Sequence, residues 1–100
     1  MNILQTKQQE IEALCQKNDI GFLGLFGSVA RGDDTDKSDV DLLVRFDKRI
    51  TLFDLIHVEN EFQDVLQRKV DLITVGGLNH RIKPYVFKDL KPIYGQQIQG

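Results

Sequence analysis

Two aspartates, Asp39 and Asp41, stand one residue apart at the start of an apolar segment in a chain of 100 residues. The segment VDLLVRF, at 40–46, has the composition of a buried strand. Because alternate residues of a strand share a face, we expect both carboxylates on one face, with Cα atoms about 6–7 Å apart. Neighbouring carboxylates repel each other and lose hydration on burial unless a cation neutralises them. Hard divalent metals do so through oxygen ligands, and pairs of them serve phosphoryl transfer.

A third carboxylate extends this pattern. Asp71 lies between Val70 and Leu72 in the segment VDLITV, at 70–75, which also predicts a strand. If the two strands are neighbours, Asp71 shares a face with the first pair, and the three acids form a pocket for Mg²⁺. The alternative is that the acids only line a solvated sheet face, since edge strands use inward charges.

The residues upstream of the acids could bind phosphate. Gly27 follows the apolar run FLGLF and allows close approach of the backbone, and Ser28 places a hydroxyl at the start of a predicted helical turn. A phosphate cradle followed by a metal site suits transfer from a nucleoside triphosphate. Arg31 has two interpretations: it contacts the triphosphate, or it forms an ion pair with Asp33 or Asp34.

The elements that must position these residues follow from apolar spacing and turn residues. They are predicted helices at 3–17, 51–69 and about 85–90, a one-turn helix at 28–31 with Ser28 as N-cap and Gly32 past its end, and strands at 22–26, 40–46, 70–75 and near 93–94. This order predicts an α/β (α+β) fold, a small mixed β-sheet with helices packed on one side. The length predicts a single domain over residues 1–100.

Composition narrows the class of protein. Hydrophobic residues make up 41% and charged residues 28%, which is typical of a globular domain. The net charge of −2 argues against direct binding to nucleic acid. The sequence contains neither an apolar run of about 20 residues nor a signal peptide, so we expect no membrane association. The single cysteine, Cys15, falls on the apolar stripe of the first helix and fits a reducing cytoplasm.

The spacing Gly27-Ser28-x10-Asp39-x-Asp41 resembles the nucleotidyltransferase signature of the DNA polymerase β superfamily. The fuller stretch FGSVARGDDTDKSDVDLLV, followed by LQRKVDLIT, is similar to the minimal nucleotidyltransferases, the MntA-like antitoxins paired with HEPN toxins. The similarity covers about residues 20–94. The resemblance implies a palm-like fold and an antitoxin that transfers AMP from ATP to a tyrosine of its cognate HEPN RNase toxin.

The resemblance also implies roles for the matching residues. Asp39 and Asp41 would ligate Mg²⁺, with two ions expected. Asp71 would complete the metal site or accept the proton of the acceptor hydroxyl. Gly27 and Ser28 would hold the phosphates of ATP. Two other functions stay open: transfer of a nucleotide to a small-molecule acceptor, and a non-catalytic module that neutralises its partner by forming a complex.

The length of the chain leaves no room for an acceptor-binding domain, so a protein partner is expected to present the hydroxyl. A basic segment at residues 79–91 offers one docking surface, because its four cations outweigh Asp89 and give a charge of +3. The alternative is a solvated basic helix. The cations are Arg81, Lys83, Lys88 and Lys91.

Overall fold

The computed structural model describes residues 6–95. Its helices are α1 (Gln8–Lys17), α2 (Gly27–Arg31), α3 (Leu52–Leu66) and α4 (Lys83–Asp89), and its strands are β1 (Ile20–Phe26), β2 (Val40–Phe46), β3 (Val70–Thr74) and β4 (Lys91–Gly95). A short 3₁₀ helix, Val75–Gly77, follows β3. None of the helices within this part of the chain is long and apolar enough to cross a membrane.

The four strands form one mixed sheet in the order β3-β2-β1-β4. β1 pairs antiparallel with both β2 and β4, whereas β2 and β3 run parallel and are connected through α3. A parallel pair needs such a crossover, because a tight turn cannot return the chain to the same end of the sheet. The predicted α/β class and the mixed sheet are confirmed.

The two long helices cover one face of the sheet, as predicted. Ile11 and Cys15 of α1 and Phe62 of α3 pack there against alternate residues of β1, β2 and β3. Cys15 is a core residue, and burial raises the pKa of its thiol to about 12, which makes the thiolate scarce. The helices are not all on this side, however, because α4 places Val86 against Phe22 and Leu43 on the other face.

Element ends differ from prediction where residues adopt a left-handed conformation. Gly27, with φ 77°, starts α2 after an extended Phe26, so Phe26 is the N-cap and the prediction of Ser28 was wrong. Gly32 does end α2 in a left-handed conformation, as predicted. Gln67, with φ 54°, ends α3 at Leu66, three residues before the predicted end. The predicted first three residues of α1, 3–5, lie outside the described residues.

Side chains of α3 cap the free edge of β3, the strand that carries Asp71. The Leu72 N–H donates to Glu59 Oε2 at 3.0 Å, and the Val70 N–H donates to Gln63 Oε1 at 3.0 Å. These are outward-facing backbone donors, because β3 is an edge strand. The helix therefore fixes β3 on both sides of Asp71 and blocks pairing with another strand.

Glu59→Met is expected to lower the free energy of unfolding by about 1–2 kcal/mol, because the Leu72 N–H then loses its acceptor. Glu59→Gln keeps an oxygen of the same reach and serves as the matched control. Thermal unfolding followed by circular dichroism measures both. Equal unfolding midpoints for the two variants would show that this hydrogen bond does not hold the edge.

Candidate active site

The three predicted acids lie on one face of two neighbouring strands. Asp41 is the register partner of Asp71 in the parallel pair of β2 and β3, so their backbones are one strand spacing, about 4.8 Å, apart. Asp39 precedes β2 by one residue and is two residues from Asp41. The same face carries Leu43 and α4, opposite the face covered by α1 and α3. β2 and β3 are therefore neighbours in the sheet, as expected from their acids.

Electrostatics connects the three carboxylates. The pKa of Asp41 is raised above its ordinary value of 3.8, first by burial and then by the charges of Asp71 and Asp39, while Arg31 opposes the shift. Mutual repulsion of this kind is the signature of acids that share a site. The nearest ion-pair partner is Lys69, whose Nζ lies 4.0 Å from an oxygen of Asp39.

Gly27 brings the Gly-Ser segment directly against Asp41. Phe26, the residue before it, is the register partner of Asp41 in β1. A Cβ added to Gly27 would overlap the Asp41 carboxylate, and the backbone of Gly27 has a left-handed φ of 77°. Ser28 follows as a half-buried residue in the single turn of α2. The backbone of Gly27 therefore lies directly against the Asp41 carboxylate, and a common site that includes Ser28 stays a prediction.

Arg31 lies at the end of α2, but its guanidinium group is engaged by acids. Nη1 donates to Asp89 at 2.8 Å, and Nε donates to Asp33 at 3.2 Å. The Asp33 pair is one of the two interpretations made from the sequence. The Asp89 pair joins α2 to α4 and has no sequence signal, because the two residues are 58 positions apart. Contact of Arg31 with a nucleotide stays a prediction.

The chemistry of the donor set suits a hard divalent metal. Carboxylate oxygens are the ligands that Mg²⁺ prefers. The nearby cations do not offset all three acids, because Lys69 lies 4.0 Å from Asp39 and Arg31 is already paired with Asp33 and Asp89. Within residues 6–95, no group of three or more His, Cys, Asp or Glu side chains has the arrangement expected of a metal site. Support for metal binding therefore comes from the backbone register that pairs Asp41 with Asp71. The positions of the side chains do not add to it.

Burial of Asp41, together with its repulsion by Asp71 and Asp39, predicts a pH dependence of stability in EDTA. Because the pKa of Asp41 is raised on folding, the folded state binds more protons than the unfolded state just above 3.8. Stability contributed by this group therefore falls as pH rises from 3.8 through the raised pKa, and it stays lower at neutral pH.

Asp41→Asn removes that loss. We expect the variant to unfold at a higher temperature than the wild type at neutral pH, with the difference shrinking as the pH approaches about 3. Asp36→Asn, in the exposed loop before β2, controls for the general effect of removing one negative charge. A wild type that is as stable as Asp41→Asn at pH 7 would contradict the burial and the repulsion that raise the pKa of Asp41.

Arg68, which lies just before β3, has no role that its sequence context predicts. Its side chain is mostly buried and binds the loop that leads to Asp39. The only sequence signal is a cation close to Asp71 along the chain, which does not indicate a contact with residues 30 or more positions away.

Comparison with known proteins identifies relatives over nearly the whole chain. The model of the family described as "Polymerase beta, Nucleotidyltransferase" matches residues 9–99. A protein of Methanocaldococcus jannaschii, named as a candidate protein adenylyltransferase, is 36% identical over 89 residues, which cover 89% of this chain and 85% of that protein.

Solved structures give the same result for the fold. A structure described as a candidate minimal nucleotidyltransferase has 31% identity and a TM-score of 0.78, covering 92% of this chain and 96% of its own. A toxin–antitoxin structure with AMP-PNP has 22% identity and a TM-score of 0.78, covering 90% and 74%. The complex of a tri-AMPylated Shewanella oneidensis HEPN toxin with MNT antitoxin has 19% identity and a TM-score of 0.72, covering 92% and 72%. The last two likenesses show the fold alone.

Proposed function

This chain belongs to the polymerase beta nucleotidyltransferase family, and from that premise we propose that it is a Mg²⁺-dependent protein adenylyltransferase acting as an antitoxin. Its substrates in this proposal are ATP and a tyrosine of a HEPN-type toxin. The observation that carries the proposal is the parallel register of Asp41 with Asp71, beside a Gly27 that has no room for a side chain. An acid pair next to a close backbone approach suits phosphoryl transfer, because that reaction depends on positioning of the phosphates and on electrostatic stabilisation.

The relatives support the choice of AMP and of a protein acceptor. The relative with 36% identity is named as a candidate protein adenylyltransferase. Structures of the same fold contain AMP-PNP in one case and a tri-AMPylated HEPN toxin in another. ATP as nucleotide donor and a toxin as acceptor are therefore the substrates we propose for this chain.

Each residue of the site has a defined task in the proposed reaction. The acceptor oxygen forms a bond to the α-phosphorus of ATP, the bond from that phosphorus to the bridging oxygen breaks, and pyrophosphate leaves. Gly27 and Ser28 hold the phosphates in line for this displacement. Asp39 and Asp41 would hold Mg²⁺, which when bound neutralises charge on the phosphates. Asp71 takes the proton that the acceptor hydroxyl loses, or it completes the ligand set and that proton passes to solvent water.

The partner would approach the face that carries the acids. The segment that follows β3 exposes three cations: Arg81 before α4, Lys88 within α4 and Lys91 at the start of β4. Asp89 is bound to Arg31, so it does not neutralise these cations directly. We propose that this basic segment contacts the toxin. We place the single domain, residues 1–100, in the cytoplasm, where an unpaired thiol such as that of Cys15 stays reduced.

The test is transfer of label from ATP carrying radioactive phosphorus at the α-position. The protein is incubated with Mg²⁺ and the product of the neighbouring gene, and each chain is separated by electrophoresis. The proposal expects label on the partner, located on tyrosine by mass spectrometry, and no label with Asp39→Ala plus Asp41→Ala. Asp36→Asn is the matched control, because it removes an exposed acid from the same loop.

The other outcomes identify the competing functions. A stoichiometric complex without label would support neutralisation by binding alone. Pyrophosphate release with an added hydroxylated small molecule, in the absence of a labelled protein, would support a small-molecule acceptor. Either result would overturn the proposed protein adenylyltransferase.

A further inference from the structure

Arg68 binds three acceptors in the loop between α2 and β2. Its Nη1 donates to the Asp34 carboxylate at 3.2 Å, and its Nη2 donates to the carbonyl oxygens of Thr35 at 2.9 Å and Ser38 at 2.7 Å. The side chain is only 16% exposed. Its Nε is buried and has no hydrogen-bond partner among the described residues. An arginine so enclosed differs from a surface ion pair, which contributes little.

The contacts of residues 68 and 69 lie on either side of Asp39. Arg68 holds the carbonyl oxygen of Ser38, the residue immediately before Asp39. The Val40 N–H, immediately after Asp39, donates to the carbonyl oxygen of Lys69 at 2.9 Å. The backbone of Asp39 is therefore held at both ends by two consecutive residues of the segment that enters β3.

The same segment sets the position of Asp71. Lys69 is followed by Val70, the first residue of β3, and Asp71 is the second. Arg68 therefore links the loop that ends at Asp39 to the strand that carries Asp71. The other hydrogen bonds inside the loop are local ones between Thr35, Lys37 and Ser38, which shape a turn but do not connect it to β3.

We propose that Arg68 is a positioning residue, which sets the separation between Asp39 and Asp71 through the backbone of residues 34–38. This inference rests on the proposed function, because it assigns Arg68 to the metal-binding geometry of that site. Arg68 itself touches neither carboxylate. Its planar group suits the role, since the guanidinium fork reaches three oxygens at once and a lysine ammonium does not have this fixed geometry.

Arg68→Ala tests the proposal by two readouts that a purely structural role would not move together. Loss of a residue that orients ligands typically lowers metal affinity or activity about 10–100-fold. We expect the half-saturating Mg²⁺ concentration for AMP transfer to rise within that range, with a smaller change in the KM for ATP. Added guanidinium chloride, at concentrations that leave the wild type unchanged, is expected to restore activity severalfold.

Two further variants make the result interpretable. Arg68→Lys should fall between wild type and Arg68→Ala, and it replaces the alanine variant if that variant does not fold. Arg49→Ala removes an exposed guanidinium group in the loop after β2 and should leave the Mg²⁺ dependence unchanged. Circular dichroism at the assay temperature gives the folded fraction of each.

A Mn²⁺ titration by calorimetry, without nucleotide or partner, separates this inference from the proposed function. If the wild type transfers no AMP, the proposed function fails, but weaker Mn²⁺ binding by Arg68→Ala still supports the positioning role. Equal Mn²⁺ affinity in wild type and variant would overturn it. So would a loss of activity that matches the unfolded fraction and does not respond to guanidinium.

Discussion

Asp41→Asn is expected to lower the rate of AMP transfer at least about 1000-fold. Asp41 has Asp71 beside it in β3 and Gly27 next to its carboxylate, so it lies at the centre of the site. Asparagine has nearly the same shape but no charge, which removes attraction for the metal. A metal ligand that supplies several kcal/mol of transition-state stabilisation corresponds to this factor, since about 1.4 kcal/mol is tenfold.

The same variant should be the more stable protein in EDTA, because asparagine removes both the cost of burying the Asp41 charge and its repulsion by Asp71 and Asp39. Loss of activity with a gain in stability distinguishes a functional acid from a structural one. Transfer of label and thermal unfolding are measured on the same preparation, with Asp36→Asn as the control. Activity within tenfold of the wild type would contradict a metal-ligating role for Asp41.

Gly27→Ala is expected to abolish detectable transfer, a loss of at least about 100-fold, for two combined reasons. A side chain at a φ of 77° costs about 1–2 kcal/mol. The added Cβ also overlaps the Asp41 carboxylate and must displace it. Small displacements of a catalytic group cost about 100-fold in rate. Steady-state transfer of label and urea unfolding measure the two effects separately.

Gly32→Ala is the matched control for backbone strain. Gly32 has a φ of 81°, similar to that of Gly27, but no atom lies within 4 Å of an added Cβ. Backbone strain should cost both variants about 1–2 kcal/mol of stability, the overlap with Asp41 should add to the loss in Gly27→Ala, and only Gly27→Ala should lose activity. Equal activity losses would mean that strain in α2, and not displacement of Asp41, explains the effect.

Local pattern was sufficient to predict β2 and the face that carries its acids. The predicted bounds, 40–46, match β2, and the mid-strand position of Asp71 indicated its partner strand. Alternation of apolar residues is a strong constraint, because a slip of one residue would move Leu42 and Val44 out of the core.

Contacts between distant segments could not be predicted in this way. The early end of α3 at the left-handed Gln67 could not be predicted either, because glutamine has no preference for that conformation. Two hydrogen bonds depend on how α3 and α4 pack on the finished sheet: the one that Leu72 N–H donates to Glu59 and the one that Arg31 donates to Asp89. Arg68 is the clearest case, because its three acceptors lie more than 25 positions earlier in the chain, and only the fold brings them together.

The central claim is that Asp39 and Asp41 hold divalent metal beside Gly27 and Ser28, with Asp71 next to Asp41 on β3. The most direct test is a crystal structure with Mn²⁺ and a non-hydrolysable ATP analogue, with anomalous diffraction used to locate the metal. We predict a manganese peak about 2.0–2.3 Å from carboxylate oxygens of Asp39 and Asp41, with the α-phosphate next to the same ion. A well-ordered analogue whose metal lies away from these acids would contradict the claim.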